Sequence, residues 1–433
     1  MTHASACERL DAALARIDDP AGEGARACLT VYREAARAAA EAADARAKAG
    51  ISLGPLDGAI VSIKDLFDVA GEVTRAGSKV LAEEGQPAAE DAVIVRRLRA
   101  AGCVIVAKTN MTEFAFSGVG TNPHFGTPGN PADRARVPGG SSSGGAVACA
   151  DGMCEIAIGS DTGGSTRVPA ALCGIVGFKP SRQRVPTTGE FPLSWSLDSV
   201  GPMARSVANC AHADAVMAGE APFALEPARL ANLRIGVVQG LPLDRLDDTV
   251  GKRFPWALDR LEKAGVRLSA EKLPLLDGMA EVNAKGGVLA PEALAVHRDR
   301  LARRGADIDP NIRARLERAA TIGAPDYIEM TRARAELIRA MDARLADVDV
   351  VAMPTTPIVA PLMAEVAQPD EFGRRNALLL RNTTVWNFFD CCAISLPLPR
   401  DGGLPSGLML AARNGHDRRL LRIAAAVERV LVG

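Results

Sequence analysis

One lysine and two serines stand in backbone that suits them for chemistry. Lys64 ends the apolar run Ala59-Ile-Val-Ser-Ile-Lys64. Ser141 lies in Pro138-Gly-Gly-Ser-Ser-Ser-Gly-Gly145, and Ser165 in Gly159-Ser-Asp-Thr-Gly-Gly-Ser-Thr-Arg-Val-Pro169. Glycine at this density marks backbone that turns sharply or approaches a ligand closely. A lysine buried without a counter-charge loses the hydration of its ammonium form, so its pKa falls and the neutral amine can take a proton from a hydroxyl. The competing expectation is a lysine that leaves the strand for solvent or pairs with Asp65. Consecutive N–H groups ahead of Ser165 can converge into a nest for an oxyanion. Neither cluster has the spacing of a phosphate-binding loop. Only His124 of the five histidines lies near them, and no Gly-x-Ser-x-Gly elbow follows a strand, so a histidine triad is unsupported.

These residues need a frame. Residues 5–18 and 23–49 read as alanine-rich helices, the second running through Cys28, Leu29, Val31 and Tyr32. Beyond Gly50, helix, glycine and continuous apolar strand alternate, the rhythm of a sheet covered on both faces. Strands are expected at 59–64, 103–107, 155–158, 175–178, 233–238, 348–353, 393–396 and 407–411, with helices at 91–101 and 417–431. Residues 244–346 read as charged helical cover. The expected organisation is a single domain: N-terminal helices over 1–50, a core over 51–218, helical cover over 240–346, and strands and helices completing the sheet over 347–433.

Lys plus Arg (51) balances Asp plus Glu (52), and aromatics are only 4%, so neither charge nor stacking surface calls for nucleic acid. No run approaches a membrane span, the N-terminus does not read as a signal peptide, and an odd number of scattered cysteines suits a reducing compartment. The cytoplasm is the expected location. No Cys or His spacing suggests zinc.

Together, Lys64 before Asp65, the Gly-Gly-Ser-Ser-Ser-Gly cluster and Gly-Ser-Asp-Thr-Gly-Gly-Ser-Thr-Arg-Val-Pro-Ala closely resemble the amidase signature enzymes. Further matches are Gly102-Cys-Val-Ile-Val-Ala-Lys-Thr-Asn110, Cys173-Gly-Ile-Val-Gly-Phe-Lys-Pro180, Ser196-Leu-Asp-Ser-Val-Gly-Pro-Met-Ala-Arg-Ser206 and Met353-Pro-Thr-Thr-Pro357. The resemblance implies an α/β/α sandwich around one large mixed sheet and hydrolysis of a small-molecule carboxamide or ureide without metal or cofactor. It further implies Ser165 as nucleophile, Ser141 (often held in a cis peptide in such enzymes) as proton relay, and Lys64 as base. Thr162, Gly163 and Gly164 would form the oxyanion hole, with Ser142 and Asp161 as organisers. Arg167 is expected to brace the loop rather than bind substrate.

The substrate is not legible. Arg374, Arg375 and Arg381 could hold a carboxylate, and Trp195, Trp386, Phe388 and Phe389 could line a pocket, although Trp386 and Phe389 have the spacing of core residues. The alternative is the ammonia-generating glutaminase component of a tRNA-dependent amidotransferase, but Leu378–Asn387 carries no acid for glutamine's amino group. A non-catalytic binding protein would have no use for all three of Lys64, Ser141 and Ser165. A small-molecule amide is the expected partner, without nucleic acid or membrane, and a homodimer stays open.

Overall fold

Along Ile60–Lys64, successive side chains face opposite sides of a sheet, and both sides are apolar. Val61 and Ile63 join one core and Ile60 another; Ile156 and Ile158 likewise oppose Ala157. Burial on both faces explains why these strands read as continuous rather than alternating apolar runs. The computed structural model describes residues 4–221, 223–400 and 402–432. Among these, the strands are β1 (Cys28–Val31), β2 (Ile60–Lys64), β3 (Val104–Thr109), β4 (Ile156–Ser160), β5 (Val176–Lys179) and β6 (Val200–Ala204). They continue with β7 (Arg234–Val238), β8 (Arg267–Glu271), β9 (Val350–Pro354), β10 (Cys392–Pro397) and β11 (Gly407–Ala412). All belong to one 11-stranded mixed sheet, ordered β1-β3-β2-β4-β6-β5-β10-β11-β9-β7-β8.

Strand β2 runs parallel to both β3 and β4, with Ile63 paired to Ile158. The carboxyl ends of β2 and β4 therefore emerge side by side, where parallel α/β sheets place their sites. Helices Ser143–Ala150 and Arg167–Cys173 begin just after Ser141 and Ser165 and are almost entirely buried.

Three elements differ from the sequence expectation. Cys28–Val31 is a strand inside the stretch read as one helix; Thr30 and Val31 pair antiparallel with β3 at the sheet edge, and edge pairing overrides the alanine-rich surroundings. The motif Val200–Ala204 is also a strand, between β4 and β5. Within the charged cover, Arg267–Glu271 adds the opposite edge strand beside β7. Its mostly exposed side chains give it no apolar signal in the sequence. All nine cysteines are free. No helix among the described residues is long and apolar enough to cross a membrane.

Gly144 shows how tightly the first serine helix is seated. A Cβ there would lie 2.5 Å from the Ala27 carbonyl oxygen and 2.6 Å from the Asn110 nitrogen. Gly144→Ala should lose about 1–3 kcal/mol of stability in chemical denaturation, because backbone must move to admit the methyl. Unchanged stability would show that this approach is not a constraint.

Candidate active site

Lys64 is fully buried at the end of β2. Its Nζ lies 2.7 Å from Ser141 Oγ and 2.9 Å from Ser160 Oγ. Asp65 does not pair with it: that carboxylate faces Lys108 and Arg75, each at 3.3 Å. Among the described residues Lys64 makes no ion pair. Burial lowers its pKa to about 7, against the more distant pull of Glu190, Asp161 and Asp198.

Ser141 follows a cis peptide bond from Gly140. Its carbonyl accepts from the Thr112 N–H at 3.1 Å, and the Gly140 N–H donates to Gly118 at 2.8 Å. A Cβ on Gly140 would sit 2.7 Å from the Gly120 backbone, so this turn admits no side chain. The Ser142 N–H donates to the Ser165 carbonyl at 3.3 Å, joining the two glycine clusters, and Ser142 Oγ faces the Ser160 carbonyl at 3.4 Å. Ser165 is buried, 4% exposed. Among the described residues no hydrogen bond joins its hydroxyl to Ser141; contacts of this kind often tighten only around substrate.

The loop from Thr162 to Ser165 carries four backbone N–H groups with no protein acceptor among the described residues. An unpaired buried N–H is costly, so four in succession mark backbone held ready for an external acceptor. Gly164 has φ +138°, and a Cβ there would lie 2.1 Å from Thr383 Oγ1. The Thr383 hydroxyl donates to the Gly163 carbonyl at 2.7 Å, and the Thr162 hydroxyl donates to Asp198 at 2.6 Å.

Asp161 anchors the base of this loop. It accepts from the Thr166 N–H and hydroxyl, from Arg167 Nε at 3.0 Å and Nη2 at 2.9 Å, and from Asn387 at 2.9 Å. Burial alone would raise its pKa, but the Arg167 charge and hydrogen bonds, with Lys179 and Asn387, hold it below the usual carboxylate range. Arg167 spends its remaining donors on the Thr383 carbonyl and the Asn387 amide oxygen. It is enclosed and faces the loop.

Two adjoining cavities, of about 220 and 650 Å³, open beside this loop and share Asn283, Arg315 and Thr384. The smaller reaches Thr162, Gly163 and Phe388. Trp386 and Phe389 sit in the core, while Trp195, 54% exposed, lines a separate cleft. Arg374 and Arg375 pair with Glu371, and Arg375 also with Glu365. Arg381 borders the larger cavity and faces Asn382 and Pro242. Arg315 gives no signal in the sequence because it sits in an Arg-rich helix with the composition of a solvated face. It makes no ion pair among the described residues, lies over Phe116 at 4.2 Å, and has its pKa lowered to about 10 by burial and by Arg318. Ser160, Glu190, Asp198, Thr383 and Asn387 also carry no catalytic signal in the sequence. No group of three or more His, Cys, Asp or Glu among the described residues is placed to hold a metal ion.

The family model Amidase matches residues 8–421. The chain is 36% identical over 404 residues to 2-amino-5-chloromuconic acid deaminase of Comamonas testosteroni, covering 92% of this chain and 86% of that protein. It is also 36% identical over 462 residues to one of the subunits of glutamyl-tRNA(Gln) amidotransferase from a Roseiflexus species, covering 98% and 92%. A crystal structure of an amidase superposes with TM-score 0.88 at 34% identity, covering 99% of this chain and 96% of that one. The chain belongs to the amidase family and is an amidohydrolase, cleaving C–N bonds by hydrolysis.

Asp161→Asn keeps the shape but leaves the Arg167 charge buried without its partner. A loss of about 3–5 kcal/mol in urea denaturation is expected. A loss below about 1 kcal/mol would mean that the pair does not organise the loop.

Proposed function

We propose that this amidohydrolase acts on a small amide bearing a carboxylate, through an acyl-enzyme on Ser165. The observation that carries the chemistry is a fully buried Lys64 amine, poised near neutrality, 2.7 Å from the Ser141 hydroxyl. As Ser165 Oγ attacks the carbonyl carbon, its proton passes to Ser141 and that of Ser141 to Lys64. The N–H groups of Thr162, Gly163, Gly164 and Ser165 take the oxyanion. On collapse, Ser141 returns a proton to the leaving nitrogen and ammonia or an amine departs. Water then repeats the sequence on the ester, giving the acid and restoring Ser165. Ser142 and Asp161, with Arg167, hold the loop in register.

Arg315 supports the substrate class. A cation that no acid faces among the described residues, in a cavity that reaches Thr162 and Gly163, suits an anionic group on the acyl side of the amide. Neither adjoining cavity is lined by Asp or Glu among the described residues. A free amino acid amide such as glutamine would leave its ammonium unpaired there, which disfavours the glutaminase alternative.

Ammonia release from glutaramate, glutamine and butyramide separates these readings. Glutaramate should be preferred, and Ser165→Ala or Lys64→Ala should abolish release. Arg315→Met should raise KM for glutaramate by about 30- to 100-fold, the value of a charged hydrogen bond, and leave butyramide unaffected. Equal use of butyramide and glutaramate by the wild type would remove the carboxylate assignment. Undiminished turnover by Ser165→Ala would remove the nucleophile.

A further inference from the structure

The larger of the two adjoining cavities holds more positive charge than a single carboxylate needs. Arg315 and Arg318 stand three residues apart on the helix Pro310–Ala319, so both leave from one face of it. Arg381 ends the helix Pro369–Arg381, and all three arginines line this cavity of about 650 Å³. Arg315 and Arg381 are half-buried and Arg318 is exposed. Among the described residues none of the three forms an ion pair, and no Asp or Glu lines the cavity. Glu317, the acid next to Arg318 in the chain, turns to Arg313 at 3.5 Å. Arg381 meets the neutral Asn382 side chain and the Pro242 carbonyl. Cations withdrawn from water are ordinarily paired, and three in one cavity repel one another until an anion enters.

A further donor is built into the same wall. Asn376 lines this cavity and is only 8% exposed. Its amide oxygen accepts from the Gly118 N–H at 2.8 Å and from the Ser117 hydroxyl at 3.1 Å. Those two donors fix which end of the amide is oxygen, so the other end is the NH2. Among the described residues that NH2 donates to nothing. A buried donor left without an acceptor is costly, and here it stands in a cavity whose charged groups are all cations.

We propose that the substrate carries two carboxylates, the nearer held by Arg315 and the farther by the wall that Arg318, Arg381 and Asn376 form. Its class is then the monoamide of a tricarboxylic acid. The layout gives the order of groups along the substrate. The smaller cavity, about 220 Å³, reaches Thr162 and Gly163, where the scissile carbonyl lies in the proposed reaction. The larger cavity joins it at Arg315, Asn283 and Thr384 and extends to Arg318 and Arg381. Guanidinium groups bind carboxylates through paired, charge-assisted hydrogen bonds, to which the Asn376 NH2 adds a neutral one. This inference rests on Arg315 taking the first carboxylate.

Ammonia release by the full-length protein from glutaramate and three derivatives tests this. Each derivative adds a second carboxylate, on an arm of one, two or three methylenes, to the carbon next to the first. The best of them should exceed glutaramate in kcat/KM by about 10- to 100-fold, the range of a charged hydrogen bond. The same arms ending in methyl should give no such gain. In each variant the readout is the ratio of the two kcat/KM values, which cancels any change in the amount of folded enzyme. Arg381→Gln should cut that ratio about tenfold, as should Arg318→Gln at an exposed position where substitution leaves the fold intact. Asn376→Asp keeps the acceptor for Gly118 and puts a negative charge in place of the NH2, so the ratio should fall to one or below. Glutaramate preferred over butyramide, with no derivative preferred over glutaramate, would overturn this inference and leave the first carboxylate in place. An equal gain from methyl-ended arms, or a gain that all three variants retain, would overturn it too. No preference for glutaramate over butyramide would remove the Arg315 assignment and this inference with it.

Discussion

The amine of Lys64 is enclosed by the sheet, hydrogen-bonded to two neutral hydroxyls, and without a carboxylate in contact among the described residues. An ammonium in water is stabilised by hydration that no pair of hydroxyls replaces, so burial works against the charged form. Three acids act on it from further away and keep the pKa near 7 rather than lower. A base of this strength is half-deprotonated at neutral pH and still strong enough to draw a proton from an alcohol through a relay. Parallel strands on either side of β2 produce this enclosure, because both of its faces and both of its edges are covered.

The rest of the site is backbone held under constraint. Gly140 and Gly164 stand where a Cβ would meet backbone at 2.7 Å or a hydroxyl at 2.1 Å. The Thr162–Ser165 loop keeps its N–H groups free because Asp161 holds it from below and Thr383 from the side. Arg167 and Asn387 tie that arrangement to the short helix Thr383–Phe388. The loop beside Ser165 and a segment more than two hundred residues later therefore form one unit, and Arg315 brings a positive charge to the cavity next to them.

How much of this is legible in the sequence follows from how local each signal is. Lys64, Ser141 and Ser165 stand out because an apolar strand and two glycine clusters are written in consecutive residues. The long apolar strands are legible for the same reason, whereas the edge strands β1 and β8 are hidden in alanine-rich and charged surroundings. Thr383 and Asn387 give no signal, since their partners lie across the fold. Glu190 looks like a turn residue in Thr-Thr-Gly-Glu, and only its bridge to Phe67 ties it to the segment that follows Lys64. Arg315 is masked by the arginines around it, and the structure separates it from them by its place over Phe116 and in both cavities.

The central claim is that Lys64 titrates near pH 7, so that the neutral amine becomes its main form as pH rises above neutrality. The most direct measurement is the pH titration of side-chain lysine resonances in isotope-labelled protein, with Lys64 assigned by its disappearance in Lys64→Met. The account predicts one such resonance with its midpoint near 7. A Lys64 resonance that stays in the ammonium form to about pH 10, as an ordinary solvated lysine does, would contradict it.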